Sequence, residues 1–263
     1  MIRTAAALSL AALLLAPAAP PAAPPGVHTE TVEYKVGAST MKSFFAAPDG
    51  ATKKPAVVVF PEWWGVNDYA KRRAEELASI GYVALAADMY GDGFVTTDAK
   101  EATKRVGAVK GDAALWRARA DAAIAALKAR KEVDPERIAA IGYCFGGSTC
   151  LVLAAANAPL RGVVSFHGNF PNAAMEGDAP IAPKVLVCHG GADTFVSPEE
   201  RTKFMEILKR RKADWEFIEF ADATHSFTNK DADAFKIPGI SYNAKADARS
   251  WEAMKAFFAE ALR

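Results

Sequence analysis

The sequence predicts a doubly wound α/β domain, a mainly parallel eight-stranded sheet with helices on both faces. Three observations predict it. Short runs such as A-V-V-V-F at 56–60 and V-L-V-C at 185–188 are continuously apolar, as strands buried on both faces must be. Longer stretches with helical periodicity separate these runs. Polar loops bearing Gly, Asp and His follow several of the runs, at the strand ends where open α/β sheets place their sites.

The elements follow in order. Residues 31–36 (T-V-E-Y-K-V) and 41–47 (M-K-S-F-F-A-A) read as two strands joined at Gly37, and Pro48-Asp49-Gly50 breaks the pattern. Residues 56–60 form the first central strand. A helix is expected over 66–80, with Asn67 as N-cap and Gly81 at its end. Residues 82–87 are the next buried strand and 91–97 a loop. Helices follow at 98–109 and 112–131, and residues 138–141 form the fifth strand, which runs into a helix over 148–156. Strands at 162–166, 184–188 and 215–220 and helices at 198–212 and 244–262 complete the domain.

Residues 1–25 stand apart from this domain, which occupies 26–263. Met1-Ile2-Arg3 gives a short positive start, and residues 5–16 are an Ala/Leu run too short to span a bilayer comfortably. The P-A-A-P-P-A-A-P-P tract at 17–25 follows. A signal peptide with a Pro/Ala linker is expected, and hence an exported protein, periplasmic or secreted, without stable membrane association after processing. An uncleaved anchor is the competing reading.

Thirty-two basic and 31 acidic residues are well mixed, so nucleic acid is not an expected partner. Nothing calls for a second subunit, and a monomer is expected. Three cysteines leave at least one thiol unpaired whatever the others do, which in an exported chain favours a reactive role.

Cys144 is the candidate for that role. It sits in G-Y-C-F-G-G at 142–147, between a strand and a helix, in the layout of a nucleophile elbow. The glycines leave room for a tight turn that lifts the sulfur from the sheet. The backbone N–H of Phe145, at the helix start, is aimed toward an oxyanion. Taken alone, the motif fits a buried core cysteine equally well. Two loops further on weigh against that reading. Asp193 follows the 184–188 strand and His225 follows the 215–220 strand, in the order nucleophile, acid, base. His225 would take the thiol proton and Asp193 would hold the imidazole in one tautomer.

After the first central strand comes P-E-W-W-G-V-N at 61–67. The Trp63 backbone N–H is the candidate second oxyanion donor, and Glu62 is an acid beside an aromatic site. Trp64, Tyr143, Phe227, Asn229 and His167 are expected to line the substrate pocket. His189 is expected to be hydrogen-bonded structurally. No histidine pair has metal-ligand spacing, so neither a metal nor another cofactor is expected.

Eight strands with the nucleophile after the fifth form an α/β-hydrolase pattern. With D-M-Y-G at 88–91, G-G-A-D-T-F-V at 190–196 and H-S-F at 225–227 added to the stretches above, the chain resembles the dienelactone hydrolase family from about residue 30 onward. The resemblance implies a Cys-His-Asp triad on a compact α/β-hydrolase domain without a large cap, acting on a small-molecule ester or lactone. It further implies that Glu62 contacts the resting thiol and swings away when substrate binds. Family members that open dienelactones hold the substrate carboxylate with an arginine four residues after the histidine, where this chain has Asn229. A second such arginine belongs on the helix after the fourth strand, where Lys104 and Arg105 are both candidates. Small neutral esters or lactones are therefore the expected substrates. A thioesterase or broad carboxylesterase is the nearest rival. A weak binding protein on the same fold would have no need of all three triad residues.

Overall fold

The computed structural model describes residues 24–263. Eight strands form one sheet in the order β1-β2-β4-β3-β5-β6-β7-β8. They are β1 (Val27–Val36), β2 (Ser39–Pro48), β3 (Lys54–Phe60), β4 (Val83–Ala86), β5 (Val133–Tyr143), β6 (Gly162–Phe166), β7 (Lys184–Gly190) and β8 (Trp215–Phe220). The first two strands pair antiparallel, and β2 joins the rest antiparallel through β4. All remaining pairs are parallel.

The helices are α1 (Asp68–Ser79), α2 (Ala99–Lys110), α3 (Ala113–Lys128), α4 (Phe145–Ala155), a one-turn α5 (Asn172–Met175), α6 (Pro198–Arg210) and α7 (Ala244–Ala261). Alternation along β3 shows why both faces need cover. Ala56, Val58 and Phe60 enter one core with Trp116 and Leu127 of α3, Leu151 of α4 and Phe204 of α6. Val57 and Val59 enter the other with Leu77 of α1 and Met254 and Phe258 of α7. A strand apolar at every position is what a two-sided burial requires.

Caps fix the helix starts. The Asn67 side chain accepts from Ala70 N–H, and Asp98, Asp112 and Asn243 cap α2, α3 and α7 in the same way. Ser197 and Glu200 form a reciprocal capping box, with Pro198 at the first helical position of α6. Alpha-1 ends before Gly81, whose φ of +99° suits a residue without Cβ. No helix among the described residues is long and apolar enough to cross a membrane. The leader expected at 1–25 lies almost wholly outside the described residues.

Candidate active site

Beta-5 ends at Tyr143 and α4 begins at Phe145, so Cys144 stands alone at the turn, with φ 52° and ψ −113°. A non-glycine residue held there stores strain, which persists only when its surroundings fix it. They do so tightly. A Cβ added to Gly142 would lie 2.0 Å from the Gly146 carbonyl oxygen, and one added to Gly146 would lie 2.0 Å from the Phe60 carbonyl oxygen. Strand, turn and helix can therefore close on one another only with glycine at both places. The Cys144 N–H is shared between the Phe166 carbonyl at 3.0 Å and His167 Nδ1 at 3.2 Å. Cys144 is half-buried, and the other two cysteines, Cys150 and Cys188, are buried, with their thiols pushed up by desolvation.

The carboxyl ends of β7 and β8 bring the partners in. His225 Nδ1 lies 2.8 Å from Asp193 Oδ2. The other Asp193 oxygen accepts from the Phe195 N–H at 2.8 Å. With Nδ1–H donating to the carboxylate, Nε2 is left to face Cys144. Burial opposes protonation of His225, but the charge of Cys144 and the bond to Asp193 outweigh it and push its pKa up to about 10. The structure thus brings Cys144, His225 and Asp193 into one constellation in the predicted order.

The loop after β3 lies against the elbow. Gly146 N–H donates to the Pro61 carbonyl, and Tyr90 Oη donates to the Trp63 carbonyl. Among the described residues, the Phe145 and Trp63 N–H groups have no backbone acceptor outside the helices and strands. Tyr90 is itself set by Asp88, a buried carboxylate that accepts from the N–H groups of Lys42, Tyr90, Gly91 and Gly93.

Glu62 is not where the resemblance puts it in a resting enzyme. It is buried, accepts from Ser226 Oγ at 2.6 Å and from Asn229 Nδ2 at 2.7 Å, and makes no hydrogen bond to Cys144. Burial raises its pKa above the ordinary carboxylate value, and Ser226, Asn229 and the nearby charges of His225 and Arg73 offset only part of that rise. Asn229 is fully buried and committed to Glu62, so it does not line the pocket. The pocket roles expected for Tyr143, Phe227 and His167 are corrected in the same way. Each is fully buried: Tyr143, the last residue of β5, and Phe227, after β8, join the core that holds Leu77 and Phe258, and His167 follows β6 with both ring nitrogens bonded inside. Trp64 is 2% exposed and stacks on Phe235, with ring centroids 4.3 Å apart, while Trp63 stays half-buried.

Sequence reasoning missed Phe195, which is 45% exposed with its ring 5.0 Å from that of His225. An exposed aromatic inside the G-G-A-D-T-F-V stretch was the available signal. It also missed Ser226 and Tyr90, both inside quoted motifs. Between the two basic candidates on α2 the structure favours Arg105. Its guanidinium lies 4.1 Å from the Phe94 ring centroid, and its charge, with that of Arg119, is felt at Tyr90. His189 is buried among Phe170 and Phe217, and its Nδ1 has no partner among the described residues, contrary to the expected hydrogen bond. No cluster of three or more potential metal ligands occurs among the described residues.

A parallel-centred sheet with a strained strand-to-helix turn after its fifth strand and a carboxylate–histidine pair beyond defines an α/β-hydrolase. The sequence profile of the dienelactone hydrolase family matches residues 41–262, and the chain belongs to that family. A dienelactone hydrolase-like promiscuous phosphotriesterase from metagenomic libraries is 43% identical, covering 90% of this chain and all of its own, with a TM-score of 0.87. A Salmonella typhimurium protein with the provisional name carboxymethylenebutenolidase is 28% identical over 93% of this chain and 94% of its own. An esterase from Thermogutta terrifontis with propionate bound, 21% identical over 90% of this chain and 94% of its own at a TM-score of 0.64, shares the fold. The protein is a hydrolase acting on ester or lactone bonds.

Proposed function

We propose that the protein hydrolyses small neutral esters or lactones through an acyl-enzyme on Cys144. The observation that carries this reading is the 2.8 Å Asp193–His225 contact with Cys144 on the other side of the imidazole, at a strained elbow. His225 takes the thiol proton, and the sulfur attacks the carbonyl carbon. The oxyanion forms toward the Phe145 and Trp63 N–H groups. Collapse expels the alkoxide, which receives the proton from His225. Water, deprotonated by His225, then releases the acid and restores the thiol. A chromogenic acetate ester tests this. Turnover should be abolished by a thiol-alkylating reagent, with the mass increment mapping to Cys144. Full activity after stoichiometric alkylation of Cys144 would overturn it.

Glu62, on this reading, supports the imidazolium. Both of its oxygens accept hydrogen bonds, which favours the carboxylate against the burial that raises its pKa, and that carboxylate lies near His225. Glu62→Gln removes that charge and forces one donor to lose its acceptor. Charge-assisted hydrogen bonds of this kind are worth roughly 1.5–3 kcal/mol, so kcat/KM should fall about 10- to 150-fold. The alkaline limb of the alkylation rate should also move to lower pH, because His225 then holds its proton less well. Unchanged rates and pH dependence would make Glu62 a bystander.

Substrate charge follows from Asn229. With its amide donated to Glu62, Asn229 brings no positive charge to a substrate carboxylate. We expect a methyl ester of a carboxylated lactone to be processed better than the free acid, by about 10-fold or more. A preference for the free acid would move the anion site to Arg105. Phosphotriesters are a second reading, favoured by the 43% identical relative. There the same sulfur attacks phosphorus and an aryloxide leaves, so paraoxon belongs in the substrate panel.

Export is part of the proposal, with residues 1–25 as the leader. Protein recovered from the exporting cell should lack Met1 by mass spectrometry, and its retention would contradict the reading.

A further inference from the structure

His167 has no place in the chemistry above, yet it is the most constrained histidine in the molecule. It is fully buried, has a left-handed backbone with φ 40°, and has both ring nitrogens occupied. Nδ1 lies 3.2 Å from the Cys144 N–H, and Nε2 lies 2.7 Å from Thr228 Oγ1. Because an N–H can only donate, Nδ1 must be the acceptor. That fixes the neutral Nε2–H tautomer, with Thr228 accepting.

Thr228 is a junction. Its hydroxyl also meets Tyr69 Oη at 2.6 Å, and its carbonyl accepts from an Arg73 guanidinium N–H at 2.8 Å. Arg73 is buried, paired with Asp247 and Glu76, and lies over the rings of Tyr69, Tyr143 and Trp251. Thr228 also sits three residues after His225 on the same loop. One continuous buried network therefore touches the backbone of the nucleophile at one end and the loop of the base at the other.

We infer that His167 is a positioning residue, which with Thr228 references the Cys144 elbow and the His225 loop to one rigid frame and so sets their alignment. Three features support this. The Cys144 N–H needs acceptors while the residue is strained, and His167 supplies one of its two. The His167 ring lies 5.4 Å from that of His225, so a second positive charge there would oppose the imidazolium. Burial, and then the nearby charges of His225 and Arg73, hold His167 well below the usual histidine range and hence neutral. Its acceptor at Nδ1 would be lost on protonation.

The inference rests on Cys144 being the nucleophile, so Cys144→Ala is measured alongside. Loss of turnover in Cys144→Ala secures that reading before the other variants are judged. In His167→Phe the ring volume is kept and both hydrogen bonds are lost. We expect kcat to fall roughly 10- to 100-fold with KM within about threefold, since a misplaced catalytic group costs rate rather than binding. The alkylation rate of Cys144 should fall, and its pH profile should shift, because His225 no longer faces the sulfur in register. His167→Gln, whose amide oxygen and N–H2 can serve both partners, should recover part of kcat. Should His167→Phe fail to fold, Thr228→Val removes only the hydroxyl junction and should show the same kcat-selective loss. If folded His167→Phe, or Thr228→Val in its place, keeps kcat and the alkylation pH profile of the wild type, the inference is wrong. Equal loss in His167→Phe and His167→Gln, with no recovery, would also overturn it.

Discussion

Cys144→Ala is expected to lose about four to six orders of magnitude in kcat on a chromogenic ester while keeping its fold. The loss is large because nucleophile and base act as a unit, so that removing the nucleophile leaves His225 and Asp193 nothing to activate. What survives is the oxyanion hole and substrate binding, which by themselves retain a modest acceleration over water. The fold should tolerate the change. The Cys144 side chain is half-buried and caps no helix by hydrogen bond, and the turn is held by backbone contacts of Gly142, Gly146 and Phe166. Relief of the left-handed strain is not expected, since alanine keeps a Cβ at φ 52°. Steady-state turnover, with intact-mass analysis after an acetate substrate, checks both halves. Wild type should carry an acetyl increment that the variant lacks. Turnover within tenfold of wild type would end the nucleophile assignment.

Much of this arrangement is legible in the sequence because it is local. The eight strands, the cap at Asn67 and the elbow glycines each follow from a few neighbouring residues. Element ends moved where tertiary pairing extends a pattern. Beta-5 runs from Val133 rather than 138, because Val133 pairs with Lys54 ahead of a register shift. Alpha-4 starts at Phe145, directly at the turn, since the glycines that look like helix breakers are needed for close approach there. What could not be read was the direction of side chains around the site. Tyr143 and Phe227 sit beside candidate catalytic residues in the chain, and His167 follows the end of β6, and those positions suggested the pocket. The alternation of strand and turn sends them beneath it instead. The Glu62–Ser226–Asn229 cluster joins residues more than 160 positions apart, a distance across which no local spacing rule speaks.

Asp193→Asn is expected to be the second most damaging change, lowering kcat by about three to four orders of magnitude. Asp193 makes one contact to His225, from Oδ2 to Nδ1 at 2.8 Å, and uses Oδ1 for the Phe195 N–H at 2.8 Å. That second bond fixes which oxygen faces the imidazole. Asparagine keeps the Phe195 bond through its carbonyl oxygen, so its N–H2 must point at Nδ1. Two donors then face each other unless His225 changes tautomer, placing its proton on Nε2 against the sulfur. In that neutral tautomer Nε2 has no lone pair to receive the thiol proton, so the Cys144–His225 ion pair does not form. Charge acts in the same direction. The charge of Cys144 and then the bond to Asp193 raise the His225 pKa, and a neutral residue at 193 lets the proton leave at lower pH. The alkylation of Cys144 by iodoacetamide separates this from a folding defect. The rate at neutral pH should drop, and the alkaline limb should move down, while the melting temperature changes by only a few degrees. Asp193→Ala, which leaves a buried Nδ1–H unpaired without imposing the wrong tautomer, should be less impaired in alkylation than Asp193→Asn. If both variants alkylate and turn over as wild type does, Asp193 serves only to order the 193–196 turn, and its place in the triad is lost.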